Sequence, residues 1–391
     1  MKIYIKGLNS CAMRKQKLRQ YRNFLMANGH ELVNRPEDSE AIILWTCAFR
    51  GDVRDNSLSE IKRYQKGYKA ELIVAGCLPD IAPDLLKKEF SGRIVPWRDD
   101  KRKMPEFFGD KNQLTEIPAT FVEESLCDDV QKFRQENPDK DATFHDQFIK
   151  LIVSEGCNYQ CSYCSERLAF PPYHSFSEDD LVNGCREVVA KTGRYEIMLL
   201  ADSLGDYGCD TNSSLPNLIN KLVKIHPRLR IALNNFNPAG YVRFFDEMSE
   251  LLKRGVIRHL NLPIQSASAR MLKLMNRPYT REDIDRIFAS LNKAGFKEFD
   301  THVIFGFPGE TEADFKETVQ FILKYKPKYV LASGFMEAPG MPAYQLPGKI
   351  SQPQKRDRLK EFYKQVSAAG IICNSDESQL GSDRIRRLNA S

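Results

Sequence analysis

The sequence predicts an α/β protein in two parts: a small flavodoxin-like parallel-sheet domain, then a partial (β/α)6 barrel. Two patterns carry this expectation. Apolar strand-like runs alternate with helical spacings along most of the 391 residues, the order that builds parallel sheets covered by helices. Cysteines also fall just after the strands, at the edge where such sheets bind their ligands. A chain of this length, 42% hydrophobic and 28% charged, has enough apolar residues for more than one core.

The N-terminal part is expected over residues 1–97. Residues 2–5 alternate as a strand, and 15–27 carry a helical spacing that stops at Gly29. Residues 41–45 read as a buried strand and 56–64 as a helix capped by Asn56 or Ser57. A third strand is expected at 71–75, a helix at 83–90 and a short fourth strand at 93–95. Cys11, Cys47 and Cys77 each follow one of the first three strands. The carboxyl ends of parallel strands share one edge, so the three thiols are expected to meet as a second cluster site. Three separately buried thiols, acting as small hydrophobes, are the plainer alternative.

Residues 98–146 break the alternation. The strings RDDKRK, EE, DD and ENPDKD read as a charged linker or insertion, with one strand near 114–122. The barrel is expected over 147–345, with strands at 148–153, 195–201, 230–233, 257–264, 299–305 and 329–335. Helices are expected near 178–191, 214–225, 241–254, 281–294 and 311–324. A last amphipathic helix, 354–369, opens a C-terminal segment 346–391 that ends in a basic tail.

Cys157, Cys161 and Cys164 form a C-x3-C-x2-C triplet directly after the first barrel strand. Three thiolates without an adjacent fourth suit a 4Fe–4S cluster with one iron open to a small molecule. Structural zinc needs a fourth ligand, and the nearest candidate, His174, lies beyond a Phe-Pro-Pro turn. The first residues are too polar for a secretory signal, and no run reaches the roughly 18 apolar residues of a membrane span. Ten cysteines in such a cytoplasmic-type chain read as metal ligands and buried thiols rather than disulfides. A net charge of +6 permits an anionic partner without requiring one.

YEIMLLADSLGDYGCD ends the second barrel strand, HLNLPIQSASARMLKLMNRPYT carries the fourth and VIFGFPGETEADF the fifth. With the cysteines, these strings resemble the radical S-adenosylmethionine methylthiotransferases, which modify tRNA adenosines and a ribosomal-protein aspartate. The resemblance covers roughly residues 1–350. It implies a radical-generating 4Fe–4S cluster on Cys157, Cys161 and Cys164 and an auxiliary 4Fe–4S cluster on Cys11, Cys47 and Cys77. It further implies two S-adenosylmethionine molecules per turnover, one cleaved to a 5′-deoxyadenosyl radical and one donating the methyl group. The resemblance places Tyr163 near the adenine of S-adenosylmethionine, a rim aromatic without a role being the alternative. Asp202, Gln265 and Ser266 end strands at the barrel mouth and are expected either to bind the methionine or ribose part or only to satisfy loop backbone. Gly306 and Gly309 suit either a turn that lets backbone approach the nucleoside or a plain structural turn. His302 is expected to serve packing. Cys127, Cys185, Cys209 and Cys373 are left as non-ligands.

The resemblance also implies a macromolecular substrate, tRNA or a protein or peptide, and an electron donor such as flavodoxin or ferredoxin. A cytoplasmic monomer without a membrane partner is expected. Three features depart from the family pattern. Only 21 residues follow Gly370, too few for the RNA-gripping TRAM barrel that usually ends these chains. SERLAFPPYHS follows the triplet in place of an Arg-Gly loop, and Cys11 sits in NSCAMRK. Two other functions remain open at this point. The second cluster could relay electrons or give up sulfur without methyl transfer, or the chain could bind clusters without catalysis.

Overall fold

The computed structural model describes residues 1–8, 12–109, 111–114 and 148–373. The chain divides into two compact units, each with its own sheet. Cys11, Cys127, most of the expected 114–122 strand and the basic tail lie outside the described residues.

The first unit holds residues 1–121 with the short segments Cys164–Tyr173 and Ala338–Met341. Its strands are β1 (Lys2–Gly7), β2 (Glu31–Leu32), β3 (Ala41–Thr46), β4 (Glu71–Gly76) and β5 (Arg93–Pro96). All pair in parallel in the order β2-β1-β3-β4-β5. This is the flavodoxin-like order, whose ligand crevice opens where the winding reverses between β1 and β3. The all-buried run of β3 follows from its central place in the sheet. The short edge strand β2 was not legible, because two residues carry no period.

Two sequence expectations are corrected here. The second helix runs over Gly51–Gly67, not from Asn56, and its N-cap Arg50 makes no side-chain cap. Ser57 is instead buried inside that helix, where its hydroxyl donates to the Cys47 carbonyl at 2.8 Å and accepts the Cys47 N–H at 3.2 Å. The charged stretch after residue 97 is also not linker throughout, since Asp100–Phe108 is a helix. It presents Asp100, Met104, Pro105 and Phe108 inward while Arg102 and Glu106 pair outward. Asp100 is buried against the Lys17 ammonium at 3.0 Å and the Tyr21 hydroxyl at 3.1 Å. A charge that looks solvated in sequence is therefore part of this core.

The second unit carries β6 (Ile149–Ile152), β7 (Ser154–Glu155), β8 (His174–Ser175), β9 (Glu196–Leu200), β10 (Arg230–Leu233), β11 (Ile257–Asn261), β12 (Phe299–Phe305), β13 (Tyr329–Gly334) and β14 (Ile372–Cys373). Seven of these form one parallel sheet in the order β14-β13-β12-β11-β10-β9-β6, and β7 and β8 make an antiparallel pair. The six expected strands are present, and β14 extends the sheet beyond them. Helices start where the side chains demand it. Thr280 with Asp283, Thr311 with Asp314, and Ser351 with Gln354 form reciprocal capping boxes. The expected 241–254 helix is split at Phe244 into Pro238–Arg243 and Phe245–Lys253.

Candidate functional site

In the second unit, the loop after β6 begins at Gly156, whose φ of 81° suits glycine and turns the chain toward Cys157. Asp202, just past β9, accepts the Gly156 N–H at 2.9 Å. The Tyr159 hydroxyl donates to Asp206 at 3.0 Å, and Ser203 and Arg243 hold the same carboxylate at 2.9 and 3.3 Å. The β9 end thus fixes the front of the cysteine loop. Asn158 donates to Cys209 Sγ at 3.3 Å, which places that leftover thiol beside the loop.

The back of the loop is held by the segment after the Ala269–Leu274 helix. The Ser162 N–H donates to the Met275 carbonyl at 3.0 Å, and its hydroxyl to the Leu274 carbonyl at 2.8 Å. Asn276, in left-handed backbone at φ 52°, donates to the Gln160 carbonyl at 2.7 Å. Arg277 reaches furthest, with Nη1 3.1 Å from Cys161 Sγ and 2.9 Å from the Tyr163 hydroxyl oxygen. The Tyr163 ring packs against a cluster of Met271, Met275, Phe307, Phe335 and Ala343. Sequence reading missed Arg277; the string NRPYT was noted as a family mark, with no role for its cation.

Burial pushes the Cys157 thiol up to about 12, with Cys161, Asp202 and Asp206 adding in the same direction. Such a thiol ionises only when a metal takes its proton's place. Cys164 belongs to the first unit and precedes the turn Ser165–Leu168. Among the described residues, no three His, Cys, Asp or Glu side chains converge as ligands of a single ion.

The strand-end residues sort differently from expectation. Gln265 adopts φ 66°, a strained conformation for a non-glycine, because its backbone bridges to β12 on both sides. Its side chain makes no hydrogen bond among the described residues, so its amide is available to a ligand. Ser266 is placed differently. It is buried, and its hydroxyl bonds Thr318 at 3.1 Å and accepts the Ser268 N–H at 3.2 Å, so it fixes a loop to a helix. At Gly306 a Cβ would lie 2.4 Å from Lys355 Cγ, so the missing side chain makes room for the lysine stem. Its N–H donates to Glu310 at 2.7 Å, and burial pushes that carboxyl up to about 7 despite Arg358. Gly309 donates its N–H to the Gly348 carbonyl at 2.8 Å. His302 lies in a polar chain within the sheet, 3.1 Å from Asn261, which bonds Asp300, which in turn meets His259 at 3.1 Å.

Asp314 gives a stability prediction. Burial would raise its carboxyl, but bonds from Arg270, Ser268 (2.5 Å) and Thr311 (2.6 and 2.8 Å) hold it well below the usual range. Asp314→Ala is expected to cost about 2–4 kcal/mol by denaturant titration. A folded pKa below the unfolded one gives stability that is present above the unfolded value and lost as pH falls toward the folded value. The gap between wild type and Asp314→Asn should therefore narrow below about pH 4.

In the first unit, Cys47 and Cys77 end β3 and β4 with both side chains buried. Gly76, at φ 102°, allows that approach, since a Cβ would sit 2.4 Å from the Thr46 carbonyl oxygen. The two buried thiols interact with each other, which lowers Cys47 and raises Cys77. Arg14 favours both thiolates and Glu166 opposes them. Arg14 is itself stacked 3.5 Å from the Trp97 ring centroid. Two adjoining soft donors with a nearby cation suit a thiolate-bound metal centre. The structure therefore brings together Cys47 with Cys77, and Cys157 with Cys161. Cys185 is a buried helix residue whose thiol burial pushes up to about 12, and Cys373 is buried in β14.

Comparison with known proteins agrees with this division. The model of the Radical SAM superfamily matches residues 151–322, and that of the uncharacterized protein family UPF0004 matches residues 2–95. A probable threonylcarbamoyladenosine tRNA methylthiotransferase of Pyrococcus horikoshii is 30% identical over 363 residues, covering 91% of this chain and 82% of the relative. The human threonylcarbamoyladenosine tRNA methylthiotransferase is 28% identical over 357 residues, 87% of this chain and 58% of the relative. A ribosomal protein uS12 methylthiotransferase, RimO, of Protochlamydia amoebophila is 28% identical, with 85% and 70% covered. Among solved structures, the radical S-adenosylmethionine methyltransferase TsrM of Kitasatospora setae shares the fold at TM-score 0.62 and 15% identity, covering 88% of this chain and 77% of that one. No helix among the described residues is long and apolar enough to cross a membrane. From the thiols placed at the two sheets' carboxyl ends, and the kinship along nine-tenths of its length, the chain belongs to the radical S-adenosylmethionine methylthiotransferase family and is an enzyme of that type.

Proposed function

We propose that the protein is a two-cluster cytoplasmic enzyme that places a methylthio group on a tRNA adenosine, with N6-threonylcarbamoyladenosine as the preferred acceptor. The observation that carries the two-cluster reading is the Cys47–Cys77 thiol pair at the carboxyl edge of the first unit's sheet. The acceptor follows from relatives bearing that substrate in their names, the Pyrococcus horikoshii protein at 30% identity among them. A 4Fe–4S cluster with one open iron would supply the electron for reductive cleavage of S-adenosylmethionine and so hydrogen abstraction from an unactivated C–H bond.

The chain's own part is to hold and orient. Cys157, Cys161 and Cys164 would carry the radical-generating cluster, and Cys11, Cys47 and Cys77 the auxiliary one. Asp202 and the Leu274–Asn276 segment fix the two ends of the cysteine loop. Gln265 presents an amide to S-adenosylmethionine from a backbone pinned by β12. Tyr163 sits on the apolar cluster that would bound the adenine side. A flavodoxin- or ferredoxin-type donor would supply the electrons.

Anaerobically reconstituted protein should convert threonylcarbamoyladenosine-bearing tRNA to a product heavier by SCH3 in place of H, with methyl label from S-adenosylmethionine. Binding to that tRNA should weaken steeply with salt. Transfer to a ribosomal-protein peptide and none to tRNA would replace the acceptor. Release of 5′-deoxyadenosine with unlabelled product would replace methylthio transfer by sulfur insertion alone.

A further inference from the structure

Arg277 makes one contact that loop anchoring does not require. Backbone and side-chain bonds from Leu274, Met275 and Asn276 already tie down residues 160–162. Arg277 adds a guanidinium whose Nη1 stands 3.1 Å from Cys161 Sγ. Three bonds fix that orientation: Nε to the Tyr279 hydroxyl at 2.7 Å, Nη1 to Tyr163 at 2.9 Å and Nη2 to the Pro263 carbonyl at 3.2 Å. The Tyr279 hydroxyl is in turn buried and donates to the Ile264 carbonyl at 2.9 Å. A permanently charged fork is thus aimed at one sulfur.

Hydrogen bonds to cluster sulfurs and the local charge are what set a cluster's reduction potential. Reduction adds one negative charge, so a fixed cation and an N–H···S bond stabilise the reduced form more than the oxidised one. We infer that Arg277 is a positioning residue that raises the reduction potential of the cluster on Cys161, easing its filling by a low-potential one-electron donor. This rests on the reading of Cys161 as a cluster ligand.

The test is an anaerobic redox titration of the full-length, reconstituted protein, followed by electron paramagnetic resonance. The signal to follow is the one that changes shape when S-adenosylmethionine is added, which identifies the cluster with the open iron. Arg277→Met should keep the parent's iron content while the equilibrium constant for reduction falls about tenfold, ~59 mV more negative for one electron. Arg277→Lys, which keeps the charge but not the fork, should shift less. Tyr279→Phe, which loosens the guanidinium, should shift in the same direction. Full iron content with an unmoved midpoint in Arg277→Met overturns the inference. Loss of iron from both Arg277 variants also overturns it, because the contact would then serve assembly. If only Arg277→Met loses iron, the Arg277→Lys midpoint decides: lowered supports the inference, unmoved overturns it. Absence of any S-adenosylmethionine-responsive signal in the parent would instead sink the cluster assignment itself.

Discussion

Cys77→Ala is expected to leave cleavage of S-adenosylmethionine running while methylthio transfer falls by at least about a hundredfold, since even outer-shell losses at metal sites cost 10–100-fold. Cys77 is 3% exposed and interacts with the Cys47 thiol, so removing its sulfur breaks the thiol pair without opening a large cavity. The fold should survive, and the iron content should drop from about eight to about four per chain. Product analysis would show 5′-deoxyadenosine without a methylthiolated acceptor. A variant that still methylthiolates would remove the first unit from the chemistry and with it the two-cluster reading.

Cys161→Ala is expected to end both partial reactions. Its sulfur is 6% exposed and is the one that Arg277 addresses. Two thiolates do not hold the cubane securely, so 5′-deoxyadenosine should become undetectable under dithionite. Visible absorption should keep only the auxiliary cluster's share. Comparing the two variants separates the roles, because Cys77→Ala spares the first partial reaction and Cys161→Ala spares neither. Undiminished 5′-deoxyadenosine formation by Cys161→Ala would show that another residue takes its place.

The positions that sequence reading found share a physical trait: their signal is local. C-x3-C-x2-C needs only eight consecutive residues, and Cys47 and Cys77 are marked by the apolar strands before them. Capping boxes such as Thr311 with Asp314 are written within four residues. The misreadings concern side chains whose partners are remote in the chain. Ser266 looked free at a strand end, yet its hydroxyl is taken by Thr318, 52 residues on. Gly306 stood in a turn of two readings, and its sequence gave no sign of the Lys355 stem packed against it. Asp100 fell in a stretch read as a charged linker or insertion, yet it is buried against Lys17 and Tyr21.

What the chain alone determined was therefore the alternation that builds two parallel sheets, the placement of cysteines at their carboxyl edges and the family to which those strings belong. Tertiary structure decided which polar groups at those edges remain available. Gln265 keeps an amide with no hydrogen bond among the described residues, while Ser266 and the Gly306 N–H are spent internally. It also decided that Arg277 lies against Cys161, 116 residues earlier in the chain. The division has one cause. Periodicity and spacing are properties of neighbours along the chain, whereas satisfaction of a buried polar group depends on whatever folding brings beside it.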